Sequence, residues 1–245
     1  MREGNINILG VHFSPLSFDD NLKQCLTFLD RDEDCACASV FTPNPEMVEY
    51  AVKDAAYMQT LNSADLCVAD GVGITIAAKL TAKKIAGRTP GIDLVTQIFE
   101  KKRAAGLTCY FLGAAPGVAE KAAAAVMEKY RGIEVVGTAD GYFDLNSETR
   151  IIADIIEKKP QMLLVGLGFP KQEIWIQNNN LPVKMAVAVG GTFDVLSGNV
   201  KRAPILLRKL GLEWFYRLLT QPRRLKRMLK LPMFLVRAGL RRGLV

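Results

Sequence analysis

Asp70 is the residue of this chain with the clearest claim to chemistry. It closes a short apolar run, Leu66-Cys67-Val68-Ala69, and leads into Gly71-Val72-Gly73 at the start of a helix-period stretch. A carboxylate there can serve as a general base if a substrate lies beside it, or as a helix cap if none does, and spacing alone suits both. Its company favours the base, because other apolar runs also end in polar or glycine-rich turns. Thr42-Pro43-Asn44-Pro45-Glu46 is stiffened by two prolines and presents Thr42 and Asn44. Reading Asn44 as an N-cap with Pro45 at N1 accounts for those two and leaves Thr42 unassigned. Gly87-Arg88-Thr89-Pro90-Gly91 displays one arginine, suited to phosphate through paired donors or simply solvated. Leu112-Gly113-Ala114 turns into a helix start that suits an anion or a ribose, so Gly113 is a candidate contact. Lys171 and Gln172 open another helix, and Gly190-Gly191 permits close backbone approach, which makes Gly191 a further candidate.

Ligands collect beyond the carboxyl ends of a parallel sheet, so the elements behind these turns matter. Apolar strand candidates at 36–41, 64–68, 108–113, 133–137, 161–167 and 184–189 alternate with helix-period stretches at 45–61, 72–83, 91–104, 116–130, 147–158 and 171–178. This alternation predicts an α/β fold: a largely parallel sheet with helices on both faces. Residues 6–13 form a strand or hairpin arm before it, and Ser17 caps a helix over 18–30. Past Gly198 the texture turns to leucine and arginine, punctuated by Pro204, Pro222 and Pro232. The reading is a catalytic domain over 1–198 and a basic helical appendage over 199–245.

With 49% hydrophobic residues in 245, the chain can fill a sizeable core. It opens on charge and glycine without a secretory apolar segment, and no apolar run reaches the roughly 20 residues needed to span a bilayer. A cytoplasmic protein is expected. The five cysteines are odd in number and lie mostly in apolar runs, as reduced thiols do. Neither a Gly-x-Gly-x-x-Gly turn nor a P-loop is present, which argues against dehydrogenases and phosphate hydrolases. Asp32-Glu33-Asp34 matches an Asp-x-Asp metal signature but precedes a strand instead of ending one, and His12 is the single histidine. A solvated acidic loop is the preferred reading, with no metal and no cofactor expected.

The net charge of +7 is unevenly spread. Residues 201–245 hold thirteen Lys and Arg against one acid, Glu213, for +12, which leaves −5 on the first 200. Around Leu225, Met228, Leu229 and Leu231 the cations flank large apolar side chains, the pattern of an interfacial helix on an anionic membrane. Nucleic-acid binding is the competing reading of the charge, but stacking aromatics are few beyond Trp214, Phe215 and Tyr216. Exposed leucines there suggest a homo-oligomer when no membrane is present. A non-catalytic nucleotide-sensing scaffold is a third reading, in which Asp70 only caps.

Taken in order, Thr42 to Val48, Ala69 to Gly73, Arg88 to Asp93, Phe111 to Gly117, Gly141-Tyr142-Phe143, Val165 to Glu173, Gly190 to Pro204 and Gly211-Leu212-Glu213-Trp214 resemble the WecG/TagA/CpsF glycosyltransferases, glycosyltransferase family 26. The resemblance covers nearly the whole chain, and the stretch from Gly211 to Arg217 is most similar to members acting in wall teichoic acid synthesis. It implies a Rossmann-like fold and metal-independent transfer of N-acetylmannosamine from UDP to the 4-hydroxyl of N-acetylglucosamine on undecaprenyl diphosphate, inverting to a β-linkage. It implies Asp70 as the base and Thr42, Asn44, Arg88 and Gln172 as nucleotide and sugar contacts. Relatives use the uronic acid or other sugars, so the donor rests on the family alone. UDP leaves as an anion that needs cations, and the −5 domain is poorly supplied. Arg217, Arg223, Arg224 or Arg227 is therefore expected to fold over the site.

Overall fold

The computed structural model describes residues 4–32, 35–209, 211–213, 215–216 and 230–240. The chain begins with a two-stranded antiparallel hairpin, β1 (Ile6–Ile8) and β2 (Val11–Phe13), joined through Leu9 and Gly10 at φ 53° and 97°. Two consecutive positive φ values give the turn whose twist matches the strands it joins. In α1 (Phe18–Leu29) the Ser17 hydroxyl caps, accepting from the Asp20 amide at 3.2 Å.

The alternating part follows as β3 (Ala38–Phe41), α2 (Pro45–Ala51), α3 (Ala55–Asn62), β4 (Leu66–Cys67), α4 (Val72–Leu80), α5 (Gly91–Lys102), β5 (Leu107–Gly113), α6 (Val118–Lys129), β6 (Ile133–Ala139), α7 (Leu145–Lys158), β7 (Met162–Gly166), α8 (Lys171–Asn178), β8 (Met185–Ala188) and α9 (Thr192–Leu196). The tail contributes α10 (Ile205–Lys209) and α11 (Lys230–Leu240). The helix expected over 45–61 is two helices. Asp54 accepts from the Tyr57 amide at 3.0 Å and so caps a fresh start, which ends the first helix at Ala51. The short α9 follows Gly190-Gly191, which read only as a turn.

Six strands form one parallel sheet in the order β4-β3-β8-β7-β5-β6. Side chains alternate between its faces, as the period of two requires. Leu163 and Val165 of β7 join one core cluster with α2, α3, α4, α7, α8 and α11, while Met162 and Leu164 join the other with α1, α5, α6 and α9. The chain steps outward from β3 to β4 on one side and from β5 to β6 on the other. The direction of winding reverses between them, and a crevice opens beyond the carboxyl ends at such a reversal.

Tail residues enter the same body. Ala203 is 3% exposed, Phe234 0% and Ala238 1%, the last two packed in the cluster beneath α2 and α4. Among the described residues no helix is long and apolar enough to cross a membrane.

Candidate active site

A cleft of about 390 Å³ opens at the strand ends, and six of the residues singled out in the sequence line it: Thr42, Asn44, Asp70, Arg88, Gln172 and Gly191. Thr42 follows β3, is 8% exposed, and its hydroxyl reaches the Ala188 carbonyl at 3.4 Å, linking the ends of β3 and β8. Gly91 opens α5 against it, since a Cβ there would lie 3.1 Å from Thr42 Oγ1. Asn44 caps α2, its Oδ1 accepting from the amides of Glu46 at 2.9 Å and Met47 at 3.2 Å. The capping reading of Asn44 is thus realised, and only a donor, Nδ2, remains for a ligand.

Asp70 does not take the cap. Gly71 occupies the N-cap position of α4, at φ 93°, and has no side chain with which to cap it. Asp70 stands one residue earlier, half-buried, its amide donating to the Pro43 carbonyl at 3.2 Å. Next door, the Thr89 amide donates to Ala69 at 2.8 Å, which ties the Arg88 loop to the end of β4. Arg88 is no free surface arginine: Nη2 donates to the Arg208 carbonyl, and Nη1 lies 3.9 Å from Glu213.

Gln172 fastens two of the strand-end loops. Its Oε1 accepts from the amides of Gly168 at 3.2 Å and Gly190 at 3.0 Å, and its Nε2 donates to Glu173 Oε1 at 2.6 Å. The reverse orientation would set donors against donors and the amide oxygen against a carboxylate, so the amide is fixed with one N–H to offer. Glu173 is fully buried and also accepts from the Tyr57 hydroxyl at 3.1 Å. Burial pushes its carboxyl up from the ordinary range, and the bonds from Gln172, its own backbone amide and Tyr57 partly oppose this. Burial and the neighbouring Glu173 likewise push the Tyr57 hydroxyl up.

Two other candidates lie outside the lining. Lys171 opens α8 on the exposed surface. Gly113 holds φ 130° where β5 meets β7, and a Cβ there would lie 2.4 Å from the Gly166 carbonyl carbon, so close strand approach accounts for this glycine. Arg217, Arg223, Arg224 and Arg227 lie outside the described residues, as do Glu33 and Asp34 of the acidic loop. Among the described residues no three of His, Cys, Asp and Glu gather as a metal site would require.

Sequence reasoning passed over an ion-paired group next to the lining residue Ile92. Arg202 Nη2 is 2.7 Å from Asp93 Oδ2, and Arg208 Nη1 is 3.9 Å from Asp93 Oδ1. Burial works against the Arg202 charge, but the Asp93 bond and the charges of Asp93, Glu213 and Asp70 outweigh it and hold the guanidinium firmly protonated. Gly211, Glu213 and Leu231 of the tail also line the cleft. Asp93, Arg202 and Glu213 all fall within recognised motifs, and that was the available signal.

An open parallel sheet whose strand ends gather hydroxyl, amide, carboxylate and guanidinium groups around one cleft is the arrangement of a ligand-binding α/β protein. The chain belongs to the glycosyl transferase WecG/TagA/CpsF family, whose model matches residues 6–244. It is 39% identical over 211 residues to an N-acetylglucosaminyldiphosphoundecaprenol N-acetyl-beta-D-mannosaminyltransferase of Bacillus spizizenii, covering 85% of this chain and 80% of that one. It is 35% identical over 232 residues to the protein of the same name from Staphylococcus aureus strain MRSA252, covering 94% and 90%.

Proposed function

We propose that this chain transfers N-acetylmannosamine from its UDP derivative to N-acetylglucosaminyl-diphospho-undecaprenol, inverting to a β-1,4 linkage and building the linkage unit of wall teichoic acid. The observation that carries this is Asp70 in the cleft with the capping position filled by Gly71, in a chain alike to enzymes of that name over most of its length. The acceptor 4-hydroxyl attacks the anomeric carbon from the face opposite UDP. As the new C–O bond forms and the bond to the diphosphate oxygen breaks, the hydroxyl proton passes to the Asp70 carboxylate. UDP departs with the bonding electron pair. Arg88 meets the charge that develops on it, while Asn44 Nδ2 and the remaining N–H of Gln172 offer donors to the nucleotide or sugar, with Thr42 and Gly191 beside them. None of these residue roles requires a metal.

The tail is proposed as a peripheral anchor on the inner face of the membrane, with anionic lipid as partner. Met233, Val236 and Leu240 of α11 are 52%, 62% and 73% exposed, as are Ile205 and Leu206 of α10 at 63% and 68%, which supports apolar contact beside the lipid-linked acceptor. Arg217, Arg223, Arg224 and Arg227 are proposed to add charge at the diphosphate; the tail on both sides of them lines the cleft, at Glu213 and at Leu231.

The test is UDP release from UDP-N-acetylmannosamine with the lipid-diphosphate acceptor in EDTA, for the wild type and Asp70→Asn. Turnover that falls at least a hundredfold in the variant, with nucleotide still bound, is the expected result. Unchanged turnover in Asp70→Asn would remove the base from the mechanism, and absent wild-type turnover would send the donor assignment back to other UDP sugars.

A further inference from the structure

The helix α11 has two unlike faces. Met233, Val236 and Leu240 point outward, whereas Phe234 and Ala238 are buried in the core with residues of α2 and α4. Leu231, in its first turn, lines the cleft, and its Cδ1 would lie 2.6 Å from a Cβ placed on Gly73. Arg237 turns inward. Its Nη1 is 2.9 Å from Oε2 of Glu49, whose side chain is 6% exposed, and Glu49 Oε1 is buried with no hydrogen-bond partner among the described residues. A carboxylate this far from water is costly to hold ionised without a paired cation. Arg237 supplies that cation from the tail.

The position of this pair gives it a consequence for the site. Glu49 belongs to α2, whose amino end carries Asn44, Glu46 and Met47 of the cleft lining, and α4, on which α11 also lies, begins just after Asp70. One helix therefore rests across the two elements that present Asn44 and Asp70. We propose that Arg237 is a positioning residue for the transfer reaction: by neutralising Glu49 it seats α11 across α2 and α4, and so sets Leu231 and the spacing between Asn44 and Asp70. Its charge is used inside the protein, unlike that of a lipid-facing or diphosphate-facing arginine. The inference rests on the reading of this cleft as the transfer site.

The test uses the full chain with a water-soluble acceptor analogue, so that membrane binding does not enter, and compares Arg237→Gln, Arg237→Lys and the double variant Glu49→Gln/Arg237→Gln. Arg237→Gln leaves a buried unpaired carboxylate and is expected to lower kcat/KM at least tenfold, with faster hydrogen exchange over 231–240. Arg237→Lys, and the double variant that removes both charges, should return within threefold of wild type in activity and exchange. If Arg237→Gln stays within twofold of wild type, or if the double variant recovers nothing, the clamp is wrong. Should Arg237→Gln fail to fold, the double variant and Arg237→Lys decide alone. Asp70→Asn run alongside separates the two readings: full turnover in Asp70→Asn removes Asp70 as the base of the proposed transfer, while the exchange of 231–240 still reports the clamp.

Discussion

Replacing Gln172 by leucine should cost stability as well as turnover, because its amide is built into the fold. Three bonds are lost, and they are not equal. Glu173, fully buried, loses a donor at 2.6 Å, and a buried carboxyl deprived of such a bond costs about 2–3 kcal/mol. Gly190, half-buried, loses the acceptor for its amide, worth about 1 kcal/mol. Gly168 is exposed, so water replaces most of what its amide loses. Leucine regains about 1 kcal/mol of apolar burial, leaving a net destabilisation of about 2–3 kcal/mol. In a chain of this size that lowers the melting temperature by about 5–10 °C without unfolding the protein at 25 °C. Urea and thermal unfolding, read beside UDP affinity and turnover, make the assay. A variant with wild-type stability but no turnover would refute the reasoning and leave Gln172 as a ligand contact alone.

Phe234→Ala empties a fully buried site in α11 and should cost about 3–5 kcal/mol in urea unfolding; a loss under about 1 kcal/mol would mean that α11 does not pack as described. Gly113→Ala sets a Cβ 2.4 Å from Gly166 at a φ that L residues avoid, so the soluble yield should collapse, and a well-folded variant would remove the account of β5 against β7. Burial raises the thiols of Cys67 and Cys109, and those of Cys25 and Cys37 to about 12, whereas Cys35 is exposed. At pH 8 the native protein should therefore show one fast thiol towards a disulfide reagent and five in denaturant, and two or more fast thiols in the native state would contradict the burial.

The parallel sheet was legible because strands buried on both faces read as apolar runs, and the cleft was legible because such a sheet offers ligands only its strand ends. Gly113 has a structural reason that the sequence does not carry. Nothing in Leu112-Gly113-Ala114 tells that β7 will lie beside β5, and only that neighbour makes a side chain impossible there. The break between α2 and α3 was hidden because Asp54 sits in a run whose period continues across it. In α11 the ambiguity is physical. Leucine, methionine and phenylalanine at helical spacing suit a protein core and a bilayer equally, and here Phe234 and Met233, adjacent in sequence, face opposite ways.

Charge shows the same difference between sum and place. A total of −5 over the first 200 residues suggested that the diphosphate would lack cations; of that part Arg88 lines the cleft, and the tail adds Arg202 and Arg208, paired with Asp93 next to the lining residue Ile92. Those arginines belong to an ion-paired lattice with Asp93 and Glu213, so their charge is partly answered before any substrate arrives. The case for further tail arginines survives, but removing the tail cannot test it. A cut after Gly198 would strip Ala203, Phe234 and Ala238 from the core and Glu213 and Leu231 from the cleft, and would abolish turnover whether or not Arg217, Arg223, Arg224 or Arg227 ever meets a phosphate. Single reversals of those arginines to glutamate keep the packed residues in place. A loss of turnover at constant melting temperature in such a variant is the outcome that charge at the diphosphate predicts and that lost packing does not.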